Sequence, residues 1–231
     1  MFAAEGRKLF LETPPGLREQ VFVSASFAEK EQDLLRECRY EVVDDRLFVK
    51  MCDTQTPQGI LTVARMPHYT REELLEGTDV PLLLLLEDVQ DPGNVGTILR
   101  TAEAAGVSGV FLSGKCADLF QPKVIRATMG SVFRVPFRVE QDLCGTAAWL
   151  REKGVRLYAA ALEGSESFFC NAYTEPCAIL IGNEGNGLSA DLLQTADQRV
   201  RIPMSGRVES LNAAVAAAVF LYEAKRQRNK I

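Results

Sequence analysis

The stretch EDVQDPGNVGTILRTAEAAG, from Glu87 to Gly106, places a turn rich in Asp, Pro, Gly and Asn directly before a helical run that carries Arg100. The turns around it are small or apolar, so packing gives a guanidinium no purpose there, whereas an anion such as a phosphate does. Asn94 is a natural turn former through its side chain, and it can also orient a polar substrate. Two later turns carry residues of the same kind. GNEGNGLS sets Gly182, Gly185 and Gly187 after the apolar run CAILI, and PMSGRVESLN follows RVRI. Bare backbone lets a flat ligand approach N–H donors; the plainer alternative is a tight turn that uses glycine's freedom at positive φ. Glu184, between glycines, is costly if a ligand buries it unpaired. It therefore pairs with Arg100, accepts a proton, or lies on an ordinary surface turn. Ser210 is placed to cap the last helix, with Asn212 in that helix's first turn.

Turns at the ends of apolar runs need a scaffold that aims them to one side. The run LLLLL at 82–86 is uninterrupted, as in strands buried on both faces of a parallel sheet. Further strands are expected at 109–113, 132–137, 155–160, 177–182 and 199–203, with helices over 96–105, 141–153, 188–196 and 210–228. Alternation of this kind predicts an open, mostly parallel α/β sheet, with ligands beyond the carboxyl ends of its strands. Ahead of it, residues 1–75 read as a small α/β unit: strands at 21–24, YEVV, RLFVK and GILTVA, a charged helix from Ser26 to Arg39, and a linker around MPHYTREELLEGTDVP. Residues 76–231 form the second domain. In its last helix, Leu211, Val215, Val219 and Tyr222 make one stripe for the core or a dimer face.

Several classes are excluded or disfavoured. The spacing GxxGxG, late in the chain, is not the GxGxxG of a dinucleotide fold. GVFLSGKC fits GxxxxGK, but its middle residues belong in a strand and a cysteine ends it, so a phosphate loop is rejected. The six cysteines are scattered and the chain has one histidine, so no zinc site is expected and the thiols are reduced. Charges within MFAAEGRKLFLE leave no signal-peptide core, and AAVAAAVFL is about half the length of a membrane span, which points to a cytosolic protein. A net charge of −5 argues against a uniformly basic surface. Local cation clusters at Lys123, Arg126, Arg134 and Arg138, and at Lys225, Arg226, Arg228 and Lys230, can still meet a nucleic acid backbone.

Taken together, DPGNVGTILRTAEAAG, ILIGNEGNGLS and RIPMSGRVESLNAAVAAAVFLYEAKRQR resemble the three signature motifs of the SpoU (TrmH-like) branch of the SPOUT RNA methyltransferases. The resemblance implies transfer of a methyl group from S-adenosylmethionine to a ribose 2′-hydroxyl of RNA, rRNA being favoured over tRNA, by a homodimer whose sheet is tied into a C-terminal trefoil knot. It carries catalytic roles to Arg100, Asn94, Glu184, Ser210 and Asn212. It carries cofactor contacts to Leu162, Gly182, Asn183, Gly187, Ile202, Met204 and Leu211, with no metal. EGRKLFLE and PQGILTVA are similar to the L30-like substrate domain of rRNA-modifying members. Such domains begin with a further helical segment, so the chain is expected to start late. The rival is an RNA-binding or ribosome-assembly protein that kept the fold and lost catalysis, against which the full residue set argues.

Overall fold

The computed structural model describes residues 1–208 and 210–229. The N-terminal part builds β1 (Phe2–Glu5), α1 (Arg7–Glu12), β2 (Arg18–Ser24), α2 (Ala25–Lys30), α3 (Gln32–Leu35), β3 (Glu41–Val43), α4 (Asp45–Met51) and β4 (Ile60–Ala64). Its strands form one sheet in the order β1-β4-β2-β3. RLFVK, expected as a strand, is instead the body of α4. Asp44 caps that helix by accepting a hydrogen bond from the Arg46 N–H, and Phe48 alone is buried, so the residues face water at helical and not strand period.

The second part contains β5 (Leu82–Leu86), α5 (Pro92–Ala105), β6 (Gly109–Ser113), α6 (Pro122–Thr128), β7 (Phe137–Glu140), α7 (Leu143–Glu152), β8 (Arg156–Ala160), β9 (Glu166–Ser167), β10 (Cys177–Ile181), α8 (Ala190–Thr195), β11 (Gln198–Arg201) and α9 (Ala213–Arg228). Its seven strands run in the order β7-β6-β5-β10-β8-β11-β9, and every pairing is parallel. From β5 the chain winds outward through β6 and β7, then continues on the other side of β5. The sheet's direction of winding therefore reverses at β5 and β10, where α/β sheets bind ligands.

The leucine run explains itself in this setting. Leu82, Leu84 and Leu86 join the core beneath α5, α6 and α9, while Leu83 and Leu85 join the core beneath α7 and α8. Each leucine is buried, and the sheet needs both faces covered for that. A Cβ on Gly96 would stand 2.5 Å from Ala127 Cβ, so glycine there is what lets α5 lie close against α6.

Two segments differ from expectation here. VFRVPF does not form a strand: Ser131–Phe133 is a 3₁₀ turn after the left-handed Met129 and Gly130, and the strand is Phe137–Glu140. Helix α6 was absent from the expected pattern. On α9, Val215 and Tyr222 are 48% and 50% exposed and take no part in the core, and the buried face is Ala213, Ala214, Ala217, Phe220, Leu221 and Ala224. The small residues are the ones that face inward, because they let α9 approach α5, where Lys225 donates to the Ala104 carbonyl at 2.6 Å.

Candidate functional site

The turn after β5 is held from both sides. Asp88 adopts φ +55°, and its carboxylate accepts from Ser113 Oγ at 2.7 Å. Asp91 caps α5, accepting from the Asn94 N–H at 2.8 Å, with Pro92 at the first helical position. Capping by Asp91 leaves the Asn94 side chain available for other partners.

The turn after β10 is tighter. Asn183 and Gly187 exchange backbone hydrogen bonds of 3.1 and 2.9 Å, with Gly187 at φ +68°. Asn183 Oδ1 accepts from the N–H groups of Gly185 and Asn186, and its Nδ2 donates to the Asp88 carbonyl at 2.8 Å, which ties this turn to the first. A Cβ on Gly182 would lie 2.2 Å from the Gly187 carbonyl carbon, so no side chain fits at that position. Ser189 caps α8 and donates to Glu87 Oε1 at 2.7 Å, a second link between the turns. The helix expected from Leu188 accordingly starts two residues later.

The third turn corrects the expected cap. Asn212, not Ser210, is the N-cap of α9: its Oδ1 accepts from the N–H groups of Ala214 and Val215. Ser210 lies two residues ahead, exposed. With its oxygen engaged, Asn212 turns its Nδ2 to Asn94 Oδ1 at 2.9 Å, and Asn94 Nδ2 donates to Glu184 Oε1 at 2.5 Å. One chain of side-chain hydrogen bonds, Asn212 to Asn94 to Glu184, thus joins all three turns. Glu184 takes Asn94 as its hydrogen-bond partner, not Arg100.

The second and third turns line one cavity of about 480 Å³, within the range of small-molecule sites. Gly182, Asn183, Glu184 and Gly187 form one wall; Ile202, Met204, Ser210 and Leu211 form another; Leu162, 57% exposed, stands at the rim. Asn94, Arg100 and Asn212 do not line it. Arg100 is exposed on α5, nearly two turns beyond Asn94, and makes no side-chain hydrogen bond or ion pair among the described residues. The adjoining Arg199 and Arg201 also line the cavity and were not singled out by sequence, where they read only as the polar alternation of a strand.

Of the expected phosphate-binding cations, several are spent on structure. Arg134 pairs with Glu103 at 2.5 Å and with Glu12, which links α1 to α5. Arg134's hydrogen bond, against partial burial, holds the Glu103 carboxyl below its usual range. Arg138 donates to Glu140 and to the Tyr69 carbonyl. Arg226 pairs with Glu223, and Arg228 donates to the carbonyls of Val80, Pro81, Tyr173 and Glu175. Lys230 lies outside the described residues. Lys123 and Arg126 remain exposed on α6. The physical reason is that nearby carboxylates (Glu140, Glu223) and carboxylates and loop carbonyls distant in sequence (Glu103, Glu12, Val80, Tyr173) reach these arginines, which composition alone does not reveal.

Among the described residues no helix is long and apolar enough to cross a membrane, and no group of three or more His, Cys, Asp or Glu side chains is placed to hold a metal ion. A sequence profile of the SpoU rRNA Methylase family matches residues 81–222. The 23S rRNA (guanosine(2553)-2′-O)-methyltransferase RlmP of Bacillus subtilis is 36% identical over 223 residues, 96% of this chain and 87% of that protein. The 23S rRNA (guanosine-2′-O-)-methyltransferase RlmB of Photobacterium profundum is 31% identical over 241 residues, covering 99% and 97%. The SpoU methyltransferase AviRb of Streptomyces viridochromogenes, crystallised with AdoMet, superposes with a TM-score of 0.87 at 30% identity, over 99% of this chain and 90% of that one. The AdoMet-bound rRNA methyltransferase of Sinorhizobium meliloti superposes with a TM-score of 0.84 at 33% identity, over 97% and 87%.

Proposed function

Because the chain belongs to the SpoU rRNA methylase family, we propose that it methylates a ribose 2′-hydroxyl of ribosomal RNA with S-adenosylmethionine. The observation that carries this is the meeting of two sequence-distant turns, 182–187 and 210–211, around one cavity of about 480 Å³. The residues fit the cofactor: Gly182 packs directly on the backbone of Gly187 and Leu188, which fixes the turn that forms one wall, and Ile202, Met204 and Leu211 supply apolar contact for the base. S-adenosylmethionine supplies a methyl group on a positively charged sulfur, already activated toward an oxygen nucleophile.

What remains for the protein is placement and charge. Arg100, unpaired among the described residues, clamps an RNA phosphate bidentately and stabilises the oxygen charge that develops on the ribose. A guanidinium rarely releases its proton, which argues against Arg100 as the base. Glu184 is the acceptor of the hydroxyl proton, held in place by Asn94, and Asn212 fixes the Asn94 amide in turn. Ser210 hydrogen-bonds cofactor or ribose at the cavity wall. Lys123 and Arg126 extend the phosphate path along α6. Residues 1–75 serve as the RNA-binding unit, the protein works as a cytoplasmic homodimer with the exposed Val215–Tyr222 face of α9 at its interface, and the turns around the cavity belong to a trefoil knot.

Titration calorimetry with S-adenosylmethionine is expected to give one site per chain. Absence of heat at millimolar cofactor would favour a non-catalytic RNA-binding protein.

A further inference from the structure

A second cavity, of about 230 Å³, opens at the carboxyl ends of β6 and β7 and shares no lining residue with the first. Its walls are Leu112, Leu119, Phe120 and Phe137, with Asp118 and Val139 among its exposed lining. An apolar cavity of about 150 Å³ holds a benzene ring, so this one accepts a single base-sized ring system, and it is smaller than the roughly 300 Å³ at which whole-ligand sites begin.

Two facts connect it to the reaction. Strands β10, β5, β6 and β7 are parallel neighbours, so this cavity and the cofactor cavity open on the same edge of the sheet. From β10 to β6 is two strand spacings, about 10 Å, which one nucleotide can span. Ser113, in the lining, also bonds the Asp88 backbone and carboxylate at 2.9 and 2.7 Å, and the Asp88 carbonyl holds Asn183 of the cofactor turn. On the other side Phe120 packs at 4.8 Å on Phe2 of β1, so the cavity lies where the N-terminal sheet meets the methyltransferase sheet.

The geometry points to a pocket for a guanine base of the substrate RNA. The inference rests on the proposed RNA-methylating activity and adds how the base is chosen. Aromatic and aliphatic walls suit a stacked, splayed-out base. Asp118 selects among bases: its Oδ1 accepts the Phe120 N–H at 2.9 Å, and its other oxygen has no protein donor among the described residues. A carboxylate accepts from the adjacent N1–H and N2–H of guanine, whereas the same edge of adenine presents an acceptor beside its one amino group.

The test uses the full chain labelled with ¹⁵N, saturated with S-adenosylhomocysteine and titrated with guanosine 5′-monophosphate. Amide shifts are expected at Ser113, Ala117 and Val139, weaker with adenosine 5′-monophosphate and absent with ribose 5-phosphate. Asp118→Asn is expected to remove the preference for guanine. Val139→Trp, a change at an exposed edge-strand position, is expected to abolish the shifts and raise KM for an unmodified 23S rRNA transcript about tenfold, the loss of one stacked base, while leaving cofactor affinity and melting temperature unchanged. Shifts confined to Gly182–Gly187, equal response to the two nucleotides, or an unaltered KM in folded Val139→Trp would overturn the pocket. A protein that shows these shifts and methylates no transcript would refute the activity and keep the pocket; methylation without the shifts would do the reverse.

Discussion

Replacing Gly182 with alanine tests whether the turn after β10 is as tight as its geometry implies. The new Cβ would stand 2.2 Å from the Gly187 carbonyl carbon, 2.3 Å from its oxygen and 2.4 Å from the Leu188 nitrogen. Ordinary contact begins near 3.4 Å, so two backbone segments must part by 1.2 Å. They are also joined by the Asn183–Gly187 hydrogen bonds, and no flexible side chain is there to yield. Overpacking typically costs about 1–3 kcal/mol, and the rigid neighbours place this case at the upper end. For a chain of this size about 3 kcal/mol lowers the melting temperature by roughly 6–12 °C. Because the displaced segment is a cavity wall, S-adenosylmethionine affinity should fall at least about tenfold, equal to 1.4 kcal/mol. Gly185→Ala is the internal control: its Cβ meets nothing closer than Asn183 Oδ1 at 3.4 Å and its φ is not in the positive region. Differential scanning fluorimetry and calorimetry on both variants give the answer. Equal melting temperatures and equal affinities for the two variants would refute the close approach as the reason for glycine at 182.

Arg100→Ala should lower kcat by about 10²–10³-fold with cofactor affinity nearly unchanged, since Arg100 lies outside the cavity wall; single-turnover methyl transfer measures it, and unaltered turnover removes Arg100 from the mechanism. Asn94→Ala keeps the cap of α5, which belongs to Asp91, so stability should barely change while turnover falls by about 10²-fold through loss of the Glu184 anchor. Arg71 donates two hydrogen bonds to the buried Glu140 and, against burial and with Arg138, holds its carboxyl below the usual range. A lowered carboxyl pKa stabilises the fold above the unfolded value of about 4.3, and that contribution is lost as pH falls below it. Arg71→Ala should therefore cost about 1–3 kcal/mol at neutral pH, with the gap to wild type closing below about pH 4 in urea titrations.

The centre of the sheet was legible because β5 and β10 are apolar and buried along their whole length, whereas the outer strands FRVE and QRVR are polar at alternate positions. LLLLL and CAILI have no other stable place than a doubly covered parallel sheet, and the helices between them follow. The site was legible in composition but not in wiring. Nothing local says that Asn94 bonds Glu184 and Asn212, residues 90 and 118 positions away, or that Arg228 is spent on four backbone carbonyls. Capping misled for a related reason: Ser210 and Asn212 are both good caps, and the choice went to the residue whose amide also reaches Asn94. RLFVK failed as a strand because five residues of mixed polarity fit either period, and Asp44 decided for the helix.

In the proposed reaction, S-adenosylmethionine held in the cavity gives its methyl group to a ribose oxygen. Incubating the protein with S-adenosylmethionine deuterated at its methyl group and unmodified 23S rRNA transcript, then digesting to nucleosides for mass spectrometry, reads out that claim alone. A trideuteromethyl group is expected on the ribose fragment of one nucleoside. Label on a base fragment, or none in the presence of bound cofactor, would contradict it.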